Sequence, residues 1–189
     1  RKVASLPELK GIAPRPLAQV GVIGGGTMGG GIAVACLLNG LSVTLIERDA
    51  EAVEKAHNGI ARTLADSVKR GKLGADARDT LLADKLLVAD DYHKLAHADL
   101  IIEAVFESMD VKKEVFTSLD AIARPGAILA SNTSYLDVNE IAAMTKRPQD
   151  VIGLHFFSPA HVMRLLEIVV ADQTAPDVVA TGFALAKVL

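Results

Sequence analysis

Two ionisable side chains interrupt apolar segments near the end of the chain. His155 lies within the apolar residues 151–157, and Glu167 lies within the apolar residues 163–170. The short turn at residues 158–160 leaves no room for a helix, so the two segments are predicted to pair as antiparallel strands. A glutamate bound to one imidazole nitrogen fixes the tautomer of the ring and leaves the other nitrogen free to take a proton. The spacing alone is compatible with a catalytic pair and with a structural pair that satisfies two buried polar groups.

A glycine-rich turn near the start of the chain has the spacing of a dinucleotide-binding site. Apolar residues 20–23 lead into the pattern G-x-G-x-x-G at Gly24, Gly26 and Gly29, and the apolar residues 32–38 are suited to a helix. Gly24 allows the tight turn, Gly26 lacks the Cβ that would block a pyrophosphate, and Gly29 lets the helix pack close to the strand. The unpaired N–H groups and the positive dipole end of that helix would hold phosphate groups.

Glu47 supplies the second half of this dinucleotide pattern. It follows the predicted strand 42–46, at about the spacing from the glycine turn at which an acidic residue binds the adenosine ribose. Its carboxylate would accept hydrogen bonds from both ribose hydroxyls and repel a 2′-phosphate, so the cofactor is predicted to be NAD. Arg48 keeps NADP open, because an arginine at this place can accommodate that phosphate.

Polar residues also follow two later strands. Ser134 comes after the apolar residues 127–130, outside the carboxyl end of a strand, where open α/β sheets bind their ligands. Its hydroxyl can bind a substrate oxygen or can cap a turn or a helix. Glu103 and Glu107 flank the end of the predicted strand 99–105, and each can face the nicotinamide end of the site or be a surface charge.

Strands and helices alternate along residues 18–150, which predicts a Rossmann-type, doubly wound α/β fold with a mostly parallel sheet. Helices at 50–70 and 75–83 are predicted to form a hairpin that projects from the sheet, and the last two strands form a C-terminal antiparallel pair. Residues 1–17 contain three prolines and are predicted to be a linker or arm. Residues 18–189 are predicted to be a single domain.

Basic residues in the predicted helices have more than one interpretation. Lys69, Arg70 and Lys72 cluster at the turn of the helical hairpin, where they are either a solvated helix end or a contact for an anionic part of the substrate. Lys112 lies in the first turns of the predicted helix 109–123, where a lysine is ordinarily solvated. The apolar face of that helix is predicted to consist of Val111, Val115, Leu119 and Ile122.

Composition limits the possible functions. The chain has 189 residues, half of them hydrophobic, and a net charge of −3, which suits a compact domain and argues against nucleic acid as the main partner. Its one cysteine, Cys36, is predicted to be a buried thiol in a reducing compartment. No membrane span or secretory signal is visible. His93 and His97 are four residues apart but lack a third metal ligand, so no metal site is predicted.

Four ordered motifs resemble one enzyme family. They are the glycine turn at residues 24–29, Glu-Ala-Val-Phe-Glu at 103–107, Ser-Asn-Thr-Ser at 131–134 and His-Phe-Phe-Ser-Pro at 155–159. Together they resemble the NAD-binding domain of L-3-hydroxyacyl-CoA dehydrogenases, from about Leu17 to the last residue. The sequence is most similar to the dehydrogenase part of multifunctional fatty-acid β-oxidation enzymes. The resemblance implies an acyl-CoA substrate and a location in the cytoplasm if the source is bacterial, or in peroxisomes or mitochondria if it is eukaryotic.

The resemblance also implies roles for individual residues. His155 matches the base that removes the proton of the 3-hydroxyl, Glu167 matches its partner carboxylate, and Ser134 matches a serine that contacts the substrate oxygen. The matching cofactor-binding residues are Gly24, Gly26, Thr27, Met28, Gly29 and Glu47, with Glu107 and Lys112 near the nicotinamide ribose. The helical hairpin matches the region that meets coenzyme A, which makes Thr63, Lys69 and Arg70 the expected CoA contacts.

Relatives of this kind carry further domains. The resemblance implies an upstream enoyl-CoA hydratase/isomerase domain and a C-terminal helical domain that closes over the substrate, both outside these residues. The fragment is therefore expected to bind NAD with little or no turnover by itself. Two alternatives stay open: an NAD-dependent dehydrogenase for a hydroxy acid that is not a thioester, and a dinucleotide-binding module with a structural or sensing role.

Overall fold

A single seven-stranded sheet organises the protein. The structure, a computed structural model, describes residues 6–189, so the first five residues of the predicted arm lie outside it. The strands are β1 (Gln19–Ile23), β2 (Ser42–Ile46), β3 (Leu86–Ala89), β4 (Leu100–Glu103), β5 (Ile128–Ser131), β6 (Val151–Phe156) and β7 (Leu166–Val169). Their order is β3-β2-β1-β4-β5-β6-β7. The first six strands are parallel and β7 is antiparallel to β6, which confirms the predicted Rossmann-type architecture.

Helices cover both faces of the sheet. They are α1 (Thr27–Leu38), α2 (Ala50–Lys69), α3 (Ala75–Thr80), α4 (Met109–Ile122), α5 (Val138–Ala142) and α6 (Pro176–Val188). Successive side chains of a strand point to opposite faces, so Ile102 packs in the core beneath α1 and α2, whereas Ile101 packs in the core beneath α4. Cys36 is buried in the first of these cores, where burial raises the pKa of its thiol to about 12.

The strand order reverses between β1 and β4, where open sheets of this type bind ligands. The two strands end side by side, since Ile23 is in register with Glu103. The N–H of Gly24 donates to the carbonyl of Ile46 at 2.9 Å, and the N–H of Ala104 donates to the carbonyl of Ile23 at 2.9 Å. These bonds bring the glycine turn together with the carboxyl ends of β2 and β4.

The helical hairpin has one packed arm and one exposed arm. Helix α2 buries Ala56, Ile60 and Leu64 against the core, and a turn at Gly71, with φ of +68°, reverses the chain. The predicted helix 75–83 is helical throughout, because α3 is followed at residues 81–85 by a wider helical turn that leads into β3. Lys69 and Arg70 are exposed at the end of the hairpin.

The buried face of α4 differs from the predicted one. Val111 is 37% exposed, whereas Phe116 is completely buried. Lys112 is also buried, at 1% exposure, so the expectation of a solvated lysine is wrong. Val115 and Leu119 are buried as predicted, so the buried face includes these two residues together with Lys112 and Phe116. The ammonium of Lys112 donates to the carboxylate of Glu103 at 2.6 Å.

The last strand is also shorter than predicted. Strand β7 covers four residues of the expected segment 163–170. Residues 159–163 form a turn instead, in which the N–H groups of Val162 and Met163 donate to the carbonyl of Pro159 at 2.9 and 2.8 Å. The turn separates β6 from β7 and borders the glycine-rich start of α1.

The described part of the N-terminal arm is attached to the last helix. The guanidinium of Arg15 donates to Asp150 at 2.7 Å and to Asp177 at 2.9 Å, and the N–H of Arg15 donates to Thr181 at 2.8 Å. Within residues 6–189, no helix is both long and apolar enough to cross a membrane.

Candidate active site

The turn after β1 requires glycine at two positions. Gly24 has φ of +93°, a conformation that side-chain-bearing residues rarely adopt. A Cβ on Gly29 would lie 1.7 Å from the carbonyl oxygen of Gly24, so only glycine allows α1 to start this close to β1. The sequence predicted both requirements.

Gly26 faces open space at the start of α1. Apart from Gly26 itself and its two chain neighbours, no atom of the described residues lies within 4 Å of the position that its Cβ would take. The helix begins at Thr27, and its first N–H groups have no partner inside the helix. The space and the donors together fit the pyrophosphate of a dinucleotide.

Glu47 is fixed against the glycine turn at the end of β2. Its Oε1 accepts from the N–H of Gly25 at 2.6 Å, and its Oε2 accepts from the N–H of Arg48 at 3.1 Å. The carboxylate borders a cavity of about 270 Å³ that also includes Gly26 and Asp49. The guanidinium of Arg48 donates to Asp49 at 3.1 Å. The cavity is lined by the carboxylates of Glu47, Asp49 and Glu51 and also by Arg48 and Lys55. Glu47 is the residue that suits an unphosphorylated ribose.

A second cavity, of about 490 Å³, continues from the same turn between α1 and α2. Lys55, Arg62, Thr63 and His161 are among its lining residues. In the part of the chain that the structure describes, Nδ1 of His161 is the one buried side-chain polar atom without a hydrogen-bond partner. Burial, followed by the charge of Arg70, lowers the pKa of this imidazole. The cavity is basic and suits an anionic ligand.

The expected CoA contacts are not all in this cavity. Thr63 lines it, and its hydroxyl donates to the carbonyl of Gly59 at 3.0 Å. Lys69 and Arg70 are exposed at the end of α2, and Lys69 lies 3.7 Å from Asp66. His161 was not predicted as a site residue, because the sequence shows it only as a polar residue in the turn after β6.

His155 and Glu167 are directly opposite each other on β6 and β7. Nδ1 of His155 lies 2.8 Å from Oε2 of Glu167, a contact that the predicted antiparallel pairing allowed. Because an ionised carboxylate can only accept, Nδ1 is the donor and Nε2 is left to accept a proton. The imidazole is 20% exposed, but the Glu167 side chain is 55% exposed because β7 is an edge strand. Glu167 is thus not the buried carboxylate that its apolar segment suggested.

Ser134 lies in the turn after β5 and hydrogen-bonds to a carboxylate. Its N–H and its hydroxyl donate to Oε2 of Glu107 at 3.1 and 3.3 Å, and the hydroxyl of Thr133 donates to Oε1 at 2.7 Å. Burial raises the pKa of Glu107, but these hydrogen bonds and the charge of Lys112 outweigh it, so the pKa lies below its usual range. The N-cap of the next helix, α5, is Asp137, so Ser134 does not cap that helix.

Glu103 is the centre of a buried polar cluster behind this turn. Its Oε1 accepts from Nζ of Lys112 at 2.6 Å and from the N–H of Val105 at 2.8 Å, and its Oε2 accepts from the hydroxyl of Ser131 at 2.6 Å. The sequence left open whether Glu103 was a surface charge. The structure buries it completely, because the parallel pairing of β4 with β5 places Ser131 opposite it.

Asn132 is a further residue that sequence reasoning did not single out. Its side-chain oxygen accepts from the N–H of Phe156 at 2.8 Å. The bond ties the turn after β5 to β6 at the residue beside His155. Among residues 6–189, no three His, Cys, Asp or Glu side chains are grouped so that they could hold a metal ion.

Comparison with known proteins identifies the family. The sequence profile described as 3-hydroxyacyl-CoA dehydrogenase, NAD binding domain, matches residues 19–189. The chain belongs to this family. The resemblance inferred from the four motifs is thereby confirmed, and so is NAD as the cofactor of the domain.

Relatives in the 3-hydroxyacyl-CoA dehydrogenase family are longer than this chain. The peroxisomal bifunctional enzyme of Cavia porcellus is 43% identical over 178 residues, which are 94% of this chain and 24% of that protein. The 3-hydroxyadipyl-CoA dehydrogenase of Escherichia coli K12 is 45% identical over 160 residues, which are 85% of this chain and 34% of that enzyme. The chain thus spans about a quarter to a third of these relatives.

Solved structures of family members have the same fold. The 3-hydroxybutyryl-CoA dehydrogenase of Escherichia coli K12 superimposes with a TM-score of 0.88 at 42% identity, over 92% of this chain and 37% of that one. The dehydrogenase part of multifunctional enzyme 1 from C. elegans gives 0.84 at 33% identity, over 98% of this chain and 43% of that one.

Proposed function

We propose that this chain supplies the NAD site and the catalytic base of an enzyme that oxidises (S)-3-hydroxyacyl-CoA to 3-oxoacyl-CoA in fatty-acid β-oxidation. The 2.8 Å contact between His155 and Glu167, at the carboxyl-terminal edge of the sheet, is the observation that supports it most strongly. Bound NAD⁺ supplies the acceptor for the hydride that leaves C3. Nε2 of His155 takes the proton of the 3-hydroxyl, and Glu167 stabilises the imidazolium that results.

The glycine turn and Glu47 hold the cofactor in this proposal. The N–H groups at Thr27 and Met28 face the pyrophosphate across the open space at Gly26. Glu47 accepts hydrogen bonds from the adenosine ribose, in the cavity that it shares with Gly25. Glu47 favours NAD over NADP, and Arg48, which also lines that cavity, is already bound to Asp49.

The turn after β5 binds the reacting end of both ligands. The hydroxyl of Ser134 is exposed at the sheet edge and can turn from Glu107 to donate to the oxygen on C3 of the substrate. Glu107 and Lys112 lie behind it, near the nicotinamide ribose. This assignment is supported by the bonds that join Glu107 to Thr133 and Ser134.

The basic side of the site receives coenzyme A. Thr63 lines the 490 Å³ cavity together with Lys55 and Arg62, and Lys69 and Arg70 are exposed at the near end of the hairpin. Phosphate groups are stabilised by such cations. Acyl-CoA is therefore the substrate class that this surface fits.

The domain acts as one part of a longer enzyme in this proposal. Residues 1–17 are the linker, and residues 18–189 are the NAD-binding domain, between an enoyl-CoA hydratase/isomerase domain and a C-terminal helical domain. By themselves these residues bind NAD but turn over little, since the exposed Glu167 and the 80%-exposed Phe106 leave the site open to water. The enzyme acts in the cytoplasm of a bacterium, or in the peroxisomes or mitochondria of a eukaryote.

Replacement of the proposed base tests the function. His155→Gln in the full-length protein should lower kcat for 3-hydroxyacyl-CoA oxidation by about 10² to 10⁴, the contribution of general base catalysis. NAD⁺ affinity should stay within about twofold, since His155 is remote from the phosphate-binding turn. Undiminished oxidation by a variant that still binds NAD⁺ would show that the proposed mechanism is wrong.

A further inference from the structure

The buried cluster behind Ser134 contains two carboxylates and one ammonium. Glu103 is fully buried, Lys112 is 1% exposed, and the Glu107 side chain is 31% exposed. Nζ of Lys112 lies 2.6 Å from Glu103 and 3.7 Å from Glu107. Lys112 is therefore bonded to the inner carboxylate and only approaches the outer one.

The position of Lys112 decides which groups Glu107 can bind. Oε1 of Glu107 already accepts from the hydroxyl of Thr133 at 2.7 Å, and this oxygen is also the one nearest to Lys112. A buried ammonium that lost its inner partner would close on the remaining carboxylate, because an unpaired buried charge is costly. That movement would compete with Thr133 and draw Glu107 away from Ser134.

Glu103 also fixes the turn between the two halves of the site. Its Oε1 accepts a hydrogen bond from the N–H of Val105. The preceding residue, Ala104, lies against the glycine turn: a Cβ added to Gly24 would be 2.8 Å from the carbonyl oxygen of Ala104. The same carboxylate thus binds both the turn next to the phosphate-binding glycines and Lys112, which the proposed function places near the nicotinamide ribose.

We propose that Glu103 is a positioning residue for the nicotinamide end of the cofactor. Its carboxylate holds Lys112 back from Glu107, which keeps Glu107 bonded to Thr133 and Ser134 and open toward the nicotinamide ribose. The inference rests on the proposed function, which places Glu107, Lys112 and Ser134 around that ribose. Glu103 itself is enclosed by Lys112, Val105 and Ser131 and acts through them.

Glu103→Gln tests this role, because it keeps the shape of the side chain and removes its charge. The affinities of the full chain for NAD⁺ and for ADP are measured by calorimetry. ADP occupies the pyrophosphate and adenosine-ribose positions but lacks the nicotinamide ribose, so it reports on the rest of the site. We expect the dissociation constant of NAD⁺ to rise about tenfold and that of ADP to change less than about twofold, in line with couplings between residues in contact.

Two other results would overturn the proposal. Equal weakening of NAD⁺ and ADP would mean that Glu103 only supports the fold, and unchanged affinity for both would mean that Lys112 does not depend on it. Ser131→Ala is the matched control, since it removes the bond to Oε2 and leaves the charge on Glu103. Its ratio of NAD⁺ to ADP dissociation constants should match that of the wild type.

A second pair of variants decides the question if Glu103→Gln does not fold. If Glu103 acts through Lys112, the ratio of the NAD⁺ and ADP dissociation constants should be the same for Lys112→Met and for the double variant Lys112→Met/Glu103→Gln. A further rise of the ratio in the double variant would overturn the proposal. Failure of the proposed function would give a different result. His155→Gln would then keep full oxidation activity, whatever ratio of dissociation constants Glu103→Gln shows.

Discussion

The imidazole of His155 and the carboxylate of Glu167 lie face to face across the one antiparallel strand pair of the described sheet, with 2.8 Å between Nδ1 and Oε2. More than half of the Glu167 side chain is exposed, so the pair contributes little to the free energy of folding. Its consequence is orientational. Glu167 fixes the proton on Nδ1 and directs Nε2 away from β7, which is what a general base requires.

Loss of the Glu167 carboxylate should therefore affect turnover more than binding. In the full-length enzyme we expect Glu167→Gln to lower kcat by about 10 to 10³, within the contribution of an oriented general base. The KM for NAD⁺ should stay within about twofold, because Glu167 is on the far strand from the glycine turn. Steady-state kinetics measure both values, and Asp172→Asn, an exposed carboxylate beyond β7, is the control. A change in KM alone would contradict the assignment.

Charge reversal at the hairpin separates a thioester substrate from a simpler hydroxy acid. Lys69→Glu/Arg70→Glu should abolish retention of the full-length protein on immobilised coenzyme A and leave NAD⁺ affinity unchanged, since these side chains lie outside the two cavities at the glycine turn. Lys94→Glu, an exposed lysine before β4, should retain binding. Full retention of the double variant would show that Lys69 and Arg70 do not bind coenzyme A, and failure of the wild-type protein to bind the column would favour a substrate without coenzyme A.

Alanine substitutions at two neighbouring glycines of α1 should change the free energy of unfolding in opposite directions. The Cβ of Gly29→Ala would overlap the carbonyl oxygen of Gly24 at 1.7 Å, so we expect a loss of about 2 kcal/mol or more in the free energy of unfolding. The Cβ of Gly30→Ala would have its nearest atom at 3.6 Å, an ordinary contact, so its helix propensity should stabilise the protein by about 0.5 to 1 kcal/mol. Urea unfolding measures both, and equal effects would be inconsistent with the close approach.

The attachment of the arm to α6 should depend on pH. The hydrogen bond from Arg15 lowers the pKa of Asp177 below its usual value. A carboxylate with a lowered pKa in the native state stabilises it above its unfolded-state pKa of about 3.9, and this stabilisation is lost as the pH falls through the native pKa. Arg15→Gln should thus cost about 1 to 2 kcal/mol at neutral pH, after allowance for the partial exposure of Asp177, and less at about pH 2.

Urea unfolding of both proteins at the two pH values tests this dependence. Arg78→Gln, which removes a pair with the exposed Asp79, should change stability by less than about 0.5 kcal/mol and serves as the control. A difference between the wild type and Arg15→Gln that grows toward acidic pH would contradict the attachment.

Local features of the site could be predicted from the sequence because neighbours in the chain determine them. The glycine spacing fixed the turn at Gly24 and the close start of α1 at Gly29. The short separation of the segments that carry His155 and Glu167 required antiparallel strands, which could place the two side chains against each other. Strand and helix periodicity predicted the parallel sheet, and four motifs in order indicated the family.

Contacts between distant segments depended on the tertiary structure. Glu103 and Ser131 are 28 residues apart and meet only because β4 lies beside β5, and their pairing draws Lys112 into the interior against the ordinary preference of lysine for water. Glu167 is half exposed because β7 is at the edge of the sheet, a position that its apolar neighbours do not reveal. The sequence thus determined the glycine turn and the antiparallel arrangement of the strands that carry His155 and Glu167, and the register of those strands decided that the two side chains meet. The strand order decided which charges are buried behind them, because burial depends on what packs against a residue in space and not on its neighbours in the chain.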